Sequence, residues 1–319
     1  MKYILLKAII LALMFQLIQL TVTAQIPDGY YSSAQGKTGD ELKSALNEII
    51  SDHIEFPYTS SSTDVWDILK ETDRDPINPD NVILIYTGWS VNGEQEYNNG
   101  DGWSREHVWA KSRGDFGNFE GPGTDVHALR PCDITVNSDR GNRWFANCEE
   151  PHLYEGQPTG NYFSTSDWVW EPREEVKGDV ARMIFYMATR YEGKNGELDL
   201  EVIDYLPANN FTNEPVHAKL SDLVKWHNED PVDDWERNRN NIIYESYQKN
   251  RNPFIDHPEF VDKIFGPTAS SSETNLVNNN QKELLKIVDQ LGREVEFQSN
   301  IPLIYIYSDG SSERKVVME

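Results

Sequence analysis

The stretch Asp101-Gly102-Trp103-Ser104-Arg105-Glu106-His107-Val108-Trp109-Ala110 decides how this chain is read. It sets a carboxylate beside an imidazole in a run bounded by tryptophans. Glu106 offers a hard oxygen of the kind that binds a divalent cation. His107 has an ordinary pKa suited to taking a proton from water near neutrality. In an extended segment, adjacent side chains point to opposite sides. The pair serves one phosphate only if the local backbone brings both to it, and spacing alone does not establish that.

Two clusters lie downstream: Asp125-Val126-His127-Ala128-Leu129-Arg130-Pro131 and Val136-Asn137-Ser138-Asp139-Arg140-Gly141-Asn142. Asn137 adds a carbonyl oxygen. A magnesium ion held by Glu106 and Asn137 alone would keep several waters, with room for phosphate oxygens. Each residue also has a plainer reading. A histidine beside a glutamate is common on surfaces. Asp125 and His127 share a face if extended, and read equally as a zinc fragment. Asn142 reads as a turn residue. Residues 100–145 are rich in Gly, Asp, Asn and Trp with few periodic runs, so the site is expected on loops and short elements.

Charge sharpens this reading. The 319 residues carry 53 Asp and Glu against 29 Lys and Arg, a net charge of -24. That balance argues against a dominant basic groove of the usual nucleic-acid kind. With 38% hydrophobic and 11% aromatic residues, the chain has enough apolar material for a core, which excludes a disordered acidic chain. Between Trp103 and Phe145 the balance changes. Arg105, Lys111, Arg113, Arg130, Arg140 and Arg143 offset Glu106, Asp115, Glu120, Asp125, Asp133 and Asp139. All but one of these cations are arginine, the type suited to bidentate phosphate contacts. The overall charge therefore limits affinity for a polyanion without excluding one as substrate.

Around this centre, apolar spacing predicts helices over Asp40–Ile54, Ser62–Thr72, Val180–Tyr191, Ala218–His227 and Trp235–Tyr247, and a strand over Val82–Thr87. The N-terminus, residues 1–24, has Lys2 and Lys7 before an apolar run and then small residues, and reads as a cleaved export signal. In an exported chain Cys132 and Cys148 are expected to form a disulfide, closing a loop of about fifteen residues. After the domain at 25–265, residues 266–281 read as a linker. Strands are expected at Leu284–Val288, Leu303–Tyr307 and, after a turn at Asp309-Gly310, Lys315–Val317.

The ordered motifs resemble the bacterial endonuclease I family. "DGWSREHVWAKSRGDFG" is similar to its REH-containing motif, and "GTDVHALRPCDITVNSDRGNRWF" to its D-x-H…VN-x-x-R-x-N motif. "KGDVARMIFYMATRYEG" and the region from Trp226 to Val261 extend the likeness over roughly residues 40 to 262. The resemblance implies an α+β fold: a mixed, mainly helical domain with loops around a ββα-metal (His-Me finger) core. It implies that His107 is the general base and that Glu106 and Asn137 are the ligands of Mg2+, with Ca2+ or Mn2+ as alternatives. Asp125, His127, Arg140 and Asn142 match supporting positions. Ala110 stands where the motif usually has proline. The arginine that steadies the cleaved phosphate stays open among Arg113, Arg130 and Arg251. Residues 282–319, with "KIVDQLGREV" and "IPLIYIYSDGSSERKVV", resemble the C-terminal sorting domain of the type IX secretion pathway. That implies the type IX machinery as a partner and a secreted or outer-membrane-surface location.

The expected function is that of a secreted, monomeric, metal-dependent endonuclease. It would hydrolyse DNA, and often RNA, through backbone contacts, with little sequence preference and 5′-phosphate products. A phosphodiesterase for small esters and a non-catalytic surface binding module are the rival readings. The first would prefer a chromogenic diester to polymeric DNA, and the second would show no metal-dependent turnover.

Overall fold

A computed structural model describes residues 26–266, 284–288, 293, 295, 303–307 and 312–315. The expected export signal and nearly all of the expected linker lie outside the described residues. The chain divides into two compact units, Met1–Ser272 and Glu273–Glu319.

The first unit mixes helices with small sheets. Helix α1, Gly39–Ile50, buries Leu42, Ala45, Leu46 and Ile50, the stripe expected from the sequence. Helix α2, Val65–Thr72, begins at a capping box in which Asp64 and Asp67 satisfy each other's backbone N–H groups. Strands β1, Asn81–Ile83, and β2, Ser90–Asn92, form a short antiparallel pair. The expected strand at 82–87 is thus cut short.

Strand β3, Trp103–His107, pairs antiparallel with β4, Leu129–Asp133. Ser104 faces Cys132, Glu106 faces Arg130 and His107 faces Leu129 across the ladder. Helix α3, Ile134–Arg140, follows with no loop at all. Asp133 ends β4 and caps α3, its side chain accepting from the Val136 N–H at 3.0 Å. A mixed sheet comes next, made of β5, Trp144–Phe145, β6, Glu150–Tyr154, β7, Gln157–Ser164, and β8, Val169–Glu171, in the order β5-β8-β7-β6.

Helix α4, Lys177–Arg190, is buried along its whole length. Apolar spacing predicts this helix over Val180–Tyr191; its charged residues Asp179, Arg182 and Arg190 are buried as well, and each meets a buried partner. The Arg182 guanidinium, for example, donates to both carboxylate oxygens of Glu236 at 2.6 Å. Strands β9, Glu201–Ile203, and β10, Val216–Lys219, run parallel. Helices α5, Leu220–Glu229, α6, Asp234–Ser246, α7, Pro253–Asp256, and α8, Phe260–Phe265, complete the unit.

The β3–β4 pair lies between two hydrophobic clusters. Cys132, Val108 and Trp109 belong to the larger one, with α1 and α4. Trp103 and Leu129 belong to a second, with α2. Leu129 and Cys132, three apart on β4, thus face different cores.

In the second unit, β11, Leu284–Val288, β12, Leu303–Tyr307, and β13, Ser312–Lys315, form an antiparallel sheet in that order. The first two strands fall where the sequence puts them, whereas the third begins three residues earlier.

The expected disulfide is not formed; Cys132 and Cys148 are free. Cys132 is buried in the larger core, while Cys148 packs against the separate cluster of Trp144, Ala146 and Val169. Burial pushes the Cys132 thiol well above its ordinary pKa and that of Cys148 up to about 12. Both therefore stay protonated and unreactive.

Candidate active site

The site grows from the last two residues of β3. Glu106 and His107 point to opposite sides of the strand, as alternation requires. Glu106 is 2% exposed. Its Oε1 accepts from the Tyr86 hydroxyl at 2.7 Å and lies 3.2 Å from Arg140 Nη1. Burial raises its pKa, and Arg140 and Tyr86 only partly offset this. A buried carboxylate with incomplete compensation is a group that a bound cation would stabilise.

His107 is 7% exposed. Its Nε2 lies 2.9 Å from the Gly123 carbonyl oxygen. Its ring stacks on Tyr58, with centroids 5.5 Å apart and 24° between planes. A carbonyl only accepts, so Nε2 carries the proton and Nδ1 the lone pair. Burial pushes the imidazole down to about 3, against the Gly123 contact, with Lys111, Arg105 and Arg140 adding repulsion. It is held neutral, in the form that accepts a proton.

Asn137 comes to this site through Ser104. Its Nδ2 donates to Ser104 Oγ at 3.0 Å, and Ser104 Oγ donates to the Cys132 carbonyl at 3.2 Å. Ser104 and Glu106 are two apart on β3, so α3 meets the same strand face as the carboxylate. Among the described residues, no three His, Cys, Asp or Glu side chains gather as a metal cage. The available donor set is therefore a carboxylate and an amide oxygen. It suits a hard, water-rich cation such as Mg2+, Mn2+ or Ca2+, and not a closed zinc site.

Arg140 holds these parts together. Besides Glu106, it donates to the carbonyls of His107 at 3.1 Å and Val108 at 2.7 Å, and to His217 Nε2 at 3.0 Å. It thereby fixes the end of β3 that carries both chemical groups.

Asp125 and His127 sit behind the site. Asp125 accepts from Tyr186 at 2.8 Å, Tyr191 at 3.1 Å and Gln248 at 3.0 Å. Burial alone would raise its pKa, but nearby His53 and His127 and the donors from Gln248 and Tyr186 bring it below the usual range. His127 Nε2 meets the Asn250 carbonyl at 3.2 Å. Asn142 donates to Ser112 Oγ at 3.0 Å and accepts from Trp168 Nε1 at 2.7 Å.

The three candidate phosphate arginines have internal partners. Arg113 donates to the Asn142 carbonyl at 3.0 and 2.6 Å and stacks on Trp144 at 3.3 Å. Arg130 pairs with Asp73 at 2.5 Å and Asp179 at 3.1 Å. Arg251 makes a bidentate pair with Asp256 at 2.6 and 2.7 Å. The cations that act electrostatically on His107 are Lys111, Arg105 and Arg140. Arg105 lies between Tyr58 and Trp66, at 3.4 and 4.0 Å from their ring centres.

Sequence reasoning missed Tyr86, Ser104, Tyr58 and Gly123. Of these only Ser104 carried a signal, through its two-residue offset from Glu106. The others reach the site by tertiary packing.

The endonuclease I family model matches residues 38–259. The chain is 54% identical to the extracellular ribonuclease of Bacillus subtilis (strain 168) over 238 residues, 75% of this chain and 78% of that protein. It is also 54% identical to the extracellular ribonuclease of Bacillus amyloliquefaciens over 236 residues, 74% of this chain and 78% of that one. With the family's residues spanning both β3 and the β4–α3 unit, the chain belongs to the endonuclease I family of nucleases.

Proposed function

We propose that this is a secreted, divalent-cation-dependent endonuclease that hydrolyses phosphodiester bonds of RNA and DNA to 5′-phosphate ends. The observation that carries the reading is the His107–Gly123 contact, which leaves a neutral imidazole with its Nδ1 lone pair free to take a proton. His107 Nδ1 removes a proton from the attacking water. Glu106 and Asn137 would hold the cation, and Tyr86 and Arg140 orient Glu106. When bound, a divalent cation supplies Lewis-acid stabilisation of the charge that develops on the phosphate and the departing 3′ oxygen. Arg105 and Lys111, next to the Tyr58–His107 stack, are the cations best placed to attract a phosphate, and backbone contacts of this kind read no sequence.

RNA as a substrate is supported by the names of the two Bacillus relatives, and DNA rests on what the motif resemblance to the endonuclease I family implies. Secretion is supported by those names and by the N-terminal signal pattern. The type IX role of the C-terminal unit rests on its resemblance to sorting domains. A chain ending at Phe265 is expected to remain with the cells when the full chain is released or surface-bound.

The deciding experiment digests supercoiled plasmid and single-stranded RNA with Mg2+, Ca2+, Mn2+ or EDTA, then labels the product ends with and without phosphatase. Cleavage only with a cation, and labelling only after phosphatase, are expected. Full cleavage in EDTA, or ends that label directly, would overturn the reading.

A further inference from the structure

A concavity borders α3, lined in part by Ser138 and Asp139 of that helix. It has a volume of about 480 Å3 and is lined by Ser138, Asp139, Arg143, His152, Phe163 and Trp168, among others. That is within the usual range of ligand pockets. Its floor is a stacked pair: the Arg143 guanidinium carbon is 4.1 Å from the Trp168 ring centre and 5.7 Å from that of Phe163. Phe211, 68% exposed, continues this aromatic surface, its ring centre 5.3 Å from that of Trp168.

Trp168 is held with φ of +58°, a backbone state costly for a bulky side chain. Its indole Nε1 donates to Asn142 Oδ1 at 2.7 Å. The ring is thereby aimed by a residue of the family motif. On the rim, Asp139 Oδ2 accepts from His152 Nε2 at 3.0 Å. Asp139 Oδ1 has no internal partner among the described side chains, and the Asp139 side chain is 49% exposed.

A flat cation on an aromatic floor, with a carboxylate at the edge, is chemistry for a nucleobase. The plane stacks on Arg143 and Trp168, and edge N–H groups donate to Asp139. A phosphate suits the cavity poorly, because Asp139 and Glu150 line it and repel an anion. Resting on the nuclease reading above, we infer that this cavity takes one unstacked base of a single-stranded substrate. Asn137 and Asp139 project from different sides of one helix, so site and cavity are separated by about 10–12 Å, the width of a helix with its side chains. Paired, stacked bases of a duplex enter only by unstacking, which costs free energy. The cavity therefore favours single strands.

The test measures binding of a labelled single-stranded oligonucleotide and its duplex to the full chain carrying His107→Ala. In that background Trp168→Leu is expected to weaken single-strand binding about tenfold, the scale of one lost base stack, and to leave duplex binding unchanged. Trp168→Phe is expected to restore most of the loss. Arg143→Gln, a change at a half-buried edge, is expected to weaken single-strand binding severalfold and guards against misfolding of the tryptophan variants. Equal losses on both forms, or no loss in either Trp168→Leu or Arg143→Gln, would overturn the inference. A His107→Ala parent that binds neither form would bring down the nuclease reading along with it.

Discussion

The imidazole of His107 is tied to a backbone carbonyl sixteen residues away, that of Gly123, at 2.9 Å. The contact fixes which ring nitrogen holds the proton, and it depends on a loop with no room for a side chain. A Cβ at Gly123 would meet the carbonyl oxygens of Gly117 and Phe119, each at 2.7 Å. Gly123→Ala must therefore move the carbonyl. We expect it to lower kcat on RNA at least ~10-fold with little change in KM, while His107→Ala lowers the rate at least ~100-fold, the usual range for a general base. Steady-state kinetics on a defined oligonucleotide check both, and wild-type kcat in either variant would remove the proposed role.

Cation dependence has its own signature. Tyr86→Phe deletes the hydroxyl that donates to Glu106 and leaves the carboxylate in place. The Mg2+ concentration for half-maximal cleavage should rise ~10-fold, the scale of losing an outer partner of a ligand. The rate at saturating Mg2+ should stay near wild type. A magnesium titration of cleavage rate measures this; an unchanged midpoint would separate Tyr86 from cation binding.

Arg140 is expected to matter first for stability. Arg140→Ala leaves buried Glu106 without its cation and orphans two carbonyls. Breaking a buried pair in this way costs ~3–5 kcal/mol. Urea unfolding followed by tryptophan fluorescence should show a midpoint well below wild type. A loss under ~1 kcal/mol, the level of an exposed pair, would mean that water replaces the guanidinium.

Acid should destabilise the fold through His127. Burial lowers its pKa to about 4, against the attraction of Asp125. Above its ordinary value of ~6.5 the ring is neutral folded or unfolded, and stability is fully present. Between pH ~6.5 and 4 only the unfolded chain gains the proton, so stability falls with pH, by at most ~3 kcal/mol for this residue. His127→Gln, which keeps an N–H for the Asn250 carbonyl, should flatten part of the slope of urea midpoints between pH 7.5 and 4.5. An unchanged slope would assign the acid sensitivity to other groups.

With no disulfide, reductant should not shift the melting temperature. Thiol titration of the unfolded, unreduced protein should find both cysteines reactive. A Tm that drops with dithiothreitol would restore the bond expected from sequence.

Much of this was legible in the sequence, for identifiable reasons. Helix α1 follows from the spacing of Leu42, Ala45, Leu46 and Ile50, because a one-sided helix writes its period into the chain. Glu106, His107 and Asn137 could be singled out together as candidates because two strands and a helix fit into one short segment. Arginine roles were not visible. Asp73 and Asp179 meet Arg130 from 57 and 49 residues away, and no local pattern records such a pairing. Helix α4 was legible from its apolar spacing, but the pairing of Arg182 with Glu236, 54 residues on in α6, leaves no local pattern either. The cysteines misled because their separation suits a loop closure, while burial in different clusters decides the outcome.

The junction at Asp133 has a mechanical meaning. One residue ends the strand and caps the helix, so no flexible hinge separates the element bearing Glu106 and His107 from the one bearing Asn137. The angular setting of Asn137 is geared to the sheet. Inserting a single residue between Asp133 and Ile134 would turn the helix by about 100°, carrying Asn137 off Ser104 and away from the carboxylate. The spacing of this segment thus works like the tooth count of a gear, in which one extra tooth loses the alignment while every part remains present.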